Sequence, residues 1–392
     1  MLTSGERSLL KIQTIYIFSN SIVGIFLQVY IFKLTGFNGV VIYNLCSFIT
    51  LLLFYILSGF FLKTYSTSHL IRVSLLLTIL NYVLIFFLQK SATSFIIPLG
   101  LMSGIAAGLY WSAFNLSQYI ITHSKSRNNY FGKGLSFMNI AIAAGPFIGG
   151  SIITLAQSFT GYIYTGYNIL FVLVILIYLF LFYLSKKLPE HSGIEFSFKD
   201  LFLKEKSTKW KLVLGQNFIL GLWDIPFTTL NTILLFIIIQ QEYTLGIVRT
   251  GIFMLTAIIS FFAGKFISKY KSAFIIGCVG TSLSIILFAL NQNWLGVILF
   301  GLINGIFSPF FSVPTSSIIL DTIDENKESW RKKYHMFLER DGALGIARVI
   351  GYTVLFILFS IFDKDMIAKN WMIIISIFPL MIGFLLYKSY KQ

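Results

Sequence analysis

Stretches of about 20 apolar residues, the length a helix needs to cross a hydrocarbon core, succeed one another along this chain, separated by short charged loops. Hydrophobic residues make up 56% of it and charged residues only 11%, with a mean hydropathy of +0.82. A water-soluble domain carries about 25% charge, so the solvent that selected this sequence is lipid. The segment GLMSGI at Gly100–Ile105 returns as GLINGI at Gly301–Ile306, half a chain length later, each copy in an apolar stretch that ends in a charged loop. Two related membrane halves are the signature of a secondary transporter, whose substrate site lies between them.

Twelve apolar stretches fall at about 12–34, 39–62, 70–90, 94–121, 135–157, 163–185, 211–240, 246–268, 272–291, 294–320, 341–362 and 368–387. The expected architecture is therefore an all-α membrane protein of twelve transmembrane helices. They form an N-terminal six-helix bundle, 1–185, and a C-terminal six-helix bundle, 211–392. The connection 186–210 mixes Ile194, Phe196, Phe198, Leu201, Phe202 and Leu203 with charges, which suits an interfacial amphipathic helix or an irregular charged linker. The start, MLTSGERSLLK, runs into the first apolar stretch with no small-residue cleavage site and is read as a retained span.

Orientation follows from the positive residues, which stay on the cytoplasmic side. With both termini cytoplasmic, all of the 30 Lys and Arg face inside except Lys33, Lys90, Arg249, Lys364 and Lys369, which face outside, and Arg348, which lies within a span. The formal net charge of +15 is thus topogenic and lipid-facing, and nucleic acid is excluded as a partner because no folded basic domain exists to hold it. The expected location is a bacterial cytoplasmic membrane.

Enzyme chemistry has no evident home. No GxxxxGK[ST] phosphate loop occurs, and His69, His123, His191 and His335 all fall in expected loops, leaving no metal or acid–base pair within a span. Cys46 and Cys278 sit in apolar runs as small core residues. No cofactor, metal or disulfide framework is expected.

A charge within a span costs about 2.5–3.5 kcal/mol on insertion scales and is a functional candidate by default. Asp224, in GLWDIPF, lies near the middle of the seventh stretch, and Arg348, in GALGIARVIG, about two turns into the eleventh. Either they face a central cavity as a protonatable carboxylate and its counter-ion, or they form a structural ion pair. Glu339, Arg340 and Asp341 stand where the eleventh span begins and are read as a gate or as a helix cap. In AAGPFIGG, Gly145 and Gly149 share one helix face, Pro146 deletes a backbone hydrogen bond and Gly150 follows, which makes a hinge or a packing seam. Tyr110, Trp111, Phe114, Trp223, Phe227, Phe307, Phe310 and Phe311 are cavity-lining candidates, with core packing the alternative for each. Asn20, Gln28, Asn115 and Gln118 are candidates for hydrogen bonds to substrate.

GPFIGG, with Gly132 upstream, resembles the antiporter motif of the major facilitator superfamily, although Ala141 replaces one glycine of that series. GIAAGLYWSAFN and ERDGALGIAR are similar to stretches of poorly characterised bacterial members, and the resemblance spans the whole chain. It implies twelve helices, alternating access and a central site. Two family features are altered. The loop after the second stretch, GFFLKTYSTSHLIR, has Lys63 where the family carries an acid, and GKFISKYKSAF after the eighth has Ser268 there. Gly100 stands where drug:proton antiporters carry an arginine. The expected function is proton-coupled export of a small amphipathic or hydrophobic compound by a monomer in the bilayer. The alternatives are a proton-coupled nutrient uptake symporter and a lipid translocase.

Overall fold

The computed structural model describes residues 2–122, 124–197, 205–270, 272–328 and 330–392, and every regular element among them is helical. The chain forms α1 (Ser4–Thr64), α2 (Thr67–Leu88), a 3₁₀ turn (Gln89–Phe95), α3 (Ile96–Ile121), α4 (Ser124–Thr160) and α5 (Ile163–Ser185). It continues with α6 (Thr208–Ile239), α7 (Glu242–Lys269), α8 (Ala273–Leu290), α9 (Trp294–Glu325), α10 (Trp330–Ile361), α11 (Lys364–Ile375) and α12 (Phe378–Tyr390). Helices are forced here because lipid offers backbone groups no partner. Among the described residues, ten stretches are long and apolar enough to cross a membrane, and two of them, Ser4–Thr64 and Thr67–Ile121, run to 61 and 55 residues.

The chain resolves into two compact units, one of 1–198 with 242–250 and 329–338, the other of 199–241, 251–328 and 339–392. In the first unit, α1 is two helices joined at Gly36, whose φ of 67° and ψ of −164° leave helical space and suit a residue without a Cβ. The arms fold back on each other. Gln28 and Asn44 exchange amide hydrogen bonds at 2.9 and 3.3 Å, whereas sixteen residues of straight helix would hold them roughly 24 Å apart. Gly100, Gly104 and Gly108 then bring α3 against the second arm. A Cβ at Gly100 would lie 2.6 Å from the Tyr43 carbonyl oxygen and one at Gly108 2.6 Å from that of Leu51. The repeated motif does the same work in the second unit, where Gly301 and Gly305 of α9 pack against Ile252 and Leu255 of α7.

Helix ends differ from the apolar stretches in a consistent way. α4, α9 and α10 run on into segments that hydropathy assigns to loops, because a polar helix end outside the hydrocarbon still satisfies its own backbone. The last apolar stretch is broken at Ser376–Ile377 into α11 and α12. His69 lies in the first turn of α2 and His335 is buried in α10, so neither is a loop residue. His123 lies outside the described residues.

The connection after α5 shows no helix through residue 197, and 198–204 of the expected amphipathic segment lie outside the described residues. What is seen is an irregular strap. Thr67 donates its N–H to the His191 carbonyl at 2.9 Å and Gly193 donates to that of Leu62 at 3.0 Å. Glu190 accepts from Arg72 and Ser68, each at 3.2 Å. Phe196 is buried over Gly59, with its ring edge-on to Phe60 at 5.0 Å.

α4 carries its proline without an orphaned carbonyl. Pro146 has no N–H to give Ile142, and Ser21 of α1 donates its hydroxyl to that carbonyl instead, at 2.8 Å. Gly145 and Gly149 face α1, where a Cβ at Gly149 would stand 2.5 Å from the Ile22 carbonyl oxygen. Gly149→Leu should therefore destabilise the protein by about 1–3 kcal/mol through overpacking against backbone. Gly24→Ala, at a helical position with nothing within 4 Å, should leave stability unchanged or raise it slightly. Thermal unfolding of the two detergent-purified variants measures the difference, and equal melting temperatures would contradict the seam.

Candidate functional site

Asp224 lies midway along α6 and Arg348 in the second half of α10, and the two meet. The Arg348 Nη2 is 2.5 Å from Asp224 Oδ2 and its Nε is 3.3 Å from Oδ1, a two-point contact of guanidinium on carboxylate. Neither group is sealed off, since the side chains retain 24% and 16% of their exposure. The neighbouring geometry explains the approach of the helices. Gly221 lies against the Leu344 carbonyl and the Ala347 side chain, and Gly351 against the Pro226 ring. Small residues on both helices thus bracket the pair. One turn beyond Arg348, the Tyr352 hydroxyl shares a 2.7 Å hydrogen bond with Thr229 of α6.

Chemically, the pair is a charged junction that can exist closed or open. Closed, each charge neutralises the other. Opened by a proton on the carboxylate or by a competing ligand, it presents a planar guanidinium with N–H donors in a fixed fork.

Other candidates are placed differently. Trp223, beside Asp224 in sequence, stacks on Phe227 at 5.4 Å and meets Phe311 edge-on at 5.3 Å. Phe227 continues to Phe300 and Phe288, and these three rings are buried in the second unit while Trp223 stays half-buried. Phe307 and Phe310 lie over Gly280 and Gly277. In the first unit Tyr110 is fully buried, stacked on Tyr16 at 3.6 Å and parallel to Phe114. Tyr110 and Phe114 therefore pack the core and line no open cavity. Aromatic rings interlock at the spacing a helix gives them, and packing claims them before a ligand can. Trp111, Asn20, Asn115 and Gln118 stay half-buried. Asn115 donates to the Tyr55 hydroxyl at 3.1 Å, Asn20 to the carbonyl of Tyr16 at 3.0 Å, and Gln28 is occupied by Asn44.

The charges read as a gate or cap are not at a helix start. α10 begins at Trp330, which places Glu339, Arg340 and Asp341 in its third turn. Glu339 is held by the Trp210 indole N–H at 2.5 Å and by Lys206 at 3.5 Å. Arg340 and Asp341 pair with each other at 2.6 Å. Glu339 thus ties the start of α6 to α10 within the second unit.

One charged cluster escaped the sequence reading. Glu242, the first residue of α7, is buried and forms an ion pair with Lys33 of α1, while the Tyr167 hydroxyl of α5 donates to the same carboxylate at 3.0 Å. Lys33 and Glu242 both border expected loops, so hydropathy gave no reason to look. The only sequence signal is that Glu242 stands one turn before Gly246.

Residues 9–241 match the family model of the Major Facilitator Superfamily. YqgE, an uncharacterised protein of Bacillus subtilis (strain 168), is 24% identical over 376 residues, covering 92% of this chain and 84% of its own. Among solved structures, a bacterial homologue of the iron transporter ferroportin in an inward-facing state superposes with a TM-score of 0.72 at 14% identity, over 100% of both chains. The transporter FucP in an outward conformation gives 0.67 at 15% identity, over 99% of each. At these identities the structures establish the fold. Taken with the family match over more than half of its length, they show that this multi-pass membrane protein is no enzyme and belongs to the major facilitator superfamily of transporters.

Proposed function

We propose that the protein is a secondary transporter that exports a small amphipathic or hydrophobic compound in exchange for protons, with the Asp224–Arg348 pair as its coupling element. The observation that carries this is the half-buried, two-point contact between a carboxylate and a guanidinium at mid-helix positions. A structural pair needs only burial. Partial exposure leaves the carboxylate open to a proton, and a proton on Asp224 frees Arg348 to change partner. Protonation and substrate binding then compete for one junction, which is the requirement for antiport.

The architecture proposed for this cycle has twelve spans in two six-helix bundles, 1–185 and 211–392, joined by the cytoplasmic connection 186–210. Both termini are cytoplasmic, and the protein acts as a monomer in a bacterial cytoplasmic membrane by alternating access of the two bundles. In support, Ser4–Thr64 and Thr67–Ile121 are each long enough for two crossings, and α1 turns back at Gly36. Proton-coupled uptake is the second reading, favoured by the likeness to FucP, which is described as an Escherichia coli fucose:proton symporter. Under export, loss of the protein raises cellular retention of its substrate, and under uptake it lowers accumulation.

Two experiments test the proposal. A cysteine at Lys391 should react with a membrane-impermeant maleimide only in inside-out vesicles, and one at Phe362, which is half-exposed, only in right-side-out vesicles. The opposite pattern at either site would overturn the topology. In proteoliposomes screened with lipophilic cations, sugars and organic acids, Asp224→Asn should lower substrate-evoked proton flux by about tenfold or more. Because the single change removes one partner of an ion pair and can lower stability by itself, the Asp224→Asn, Arg348→Gln double variant is the sharper probe. It should restore stability and still show no coupled flux, whereas wild-type flux in the double variant would reduce the pair to structure. Accelerated lipid flip-flop without any flux would favour a lipid translocase.

A further inference from the structure

Glu242 lies where three helices of the first unit meet α7. Its carboxylate is nearly sealed, with the side chain 5% exposed, and its partners come from far along the chain. Lys33 arrives from the first arm of α1 and Tyr167 from α5, and the Lys33 ammonium also sits 5.7 Å from the centre of the Tyr167 ring. The backbone around the cluster is equally close. Gly150 of α4 lies against the Glu242 carbonyl, where a Cβ would stand 2.6 Å away, and Gly246 lies against the Pro146 carbonyl at 2.5 Å by the same measure. Thr250 donates its hydroxyl to the Ala143 carbonyl at 2.8 Å. Residues 242–250 are therefore docked on α4 through glycines and on α1 and α5 through charge. From Gly251 onward, α7 belongs to the second unit.

Charge and close packing share this contact. The glycine seams let the backbones approach, Leu245 is buried, and the Phe147 and Tyr243 rings meet at 6.1 Å. A buried ion pair adds little net stability, yet removing one partner is costly. The charged part of the contact rests on three side-chain groups: the Lys33 ammonium, the Glu242 carboxylate and the Tyr167 hydroxyl. We propose that Lys33, Glu242 and Tyr167 form a clasp that pins the first turns of α7 to the first unit, and that its opening is a step of the transport cycle. The second clause rests on the transporter reading above.

Hydrogen–deuterium exchange of the purified protein in lipid nanodiscs tests the clasp without any substrate. Glu242→Gln should speed exchange of the 242–250 amides by about tenfold or more relative to wild type. Tyr167→Phe, which removes one hydrogen bond and spares the fold, should speed it by about threefold. The charge-exchanged variant Lys33→Glu, Glu242→Lys should return it to within about twofold of wild type. Unchanged exchange in Glu242→Gln and Tyr167→Phe would overturn the clasp, as would a rise spread evenly over 1–198. For the cycle, a Lys33→Cys, Glu242→Cys variant bridged by a reducible bis-methanethiosulfonate linker should lose coupled flux and regain it when the linker is reduced off, and full flux in the verified bridged form would overturn that step. The two readings fail separately. Without transport, wild type shows no flux while the exchange contrast persists. Without a clasp, wild-type flux persists while exchange is flat across the variants.

Discussion

A polar group inside a bilayer has no water to fall back on, so each carbonyl without its helical donor and each charge within a span must find a partner in the protein itself. That constraint accounts for most of the specific contacts here. Pro146 frees the Ile142 carbonyl and Ser21 takes it. Arg348 and Asp224, on helices far apart in sequence, cancel each other. Glu242 collects both Lys33 and Tyr167. Apolar packing between membrane helices supplies little preference for one partner over another, since lipid tails are as apolar as leucine. Polar contacts and glycine seams together decide which helices of this sequence touch.

Those contacts divide by how tightly they are closed. Asp224 and Arg348 retain some exposure, while Glu242 is nearly sealed, and the difference suits different work. A half-open pair can trade its partner for a proton or a ligand. In the triad, Glu242 and Tyr167 are buried while the Lys33 side chain keeps 24% of its exposure. Both depend on glycines beside them: Gly221 and Gly351 next to the first, Gly150 and Gly246 next to the second. Close backbones let short side chains such as aspartate and threonine reach across, which longer spacing would deny them.

Much of the fold was legible because hydropathy and helical spacing are local. Apolar runs located the helices, and four-residue spacing put Gly145 with Gly149 on a single face. Helix ends were less legible, since helices persist past the hydrocarbon into charged sequence, as α10 does upstream of Glu339. The candidate site was legible only in part. Asp224 and Arg348 announce themselves as charges in apolar stretches, but their meeting depends on helix order in space. Glu242 and Lys33 were invisible because each lies where an apolar run ends, and a charge at that position is ordinary. In sequence Tyr110 reads as a cavity or a core residue, and only its ring neighbours Tyr16 and Phe114 show it packed in the core.

The turn at Gly36 bears on how such a chain enters a membrane at all. Gln28 and Asn44 each carry an amide that would be costly to leave alone in hydrocarbon, and each satisfies the other across the two arms of α1. Inserted one at a time, the first arm would leave the Gln28 amide without Asn44, and the second would leave Asn44 with its bond to the Val40 carbonyl but without Gln28. The amide pair thus favours insertion of the two arms of α1 together as one hairpin.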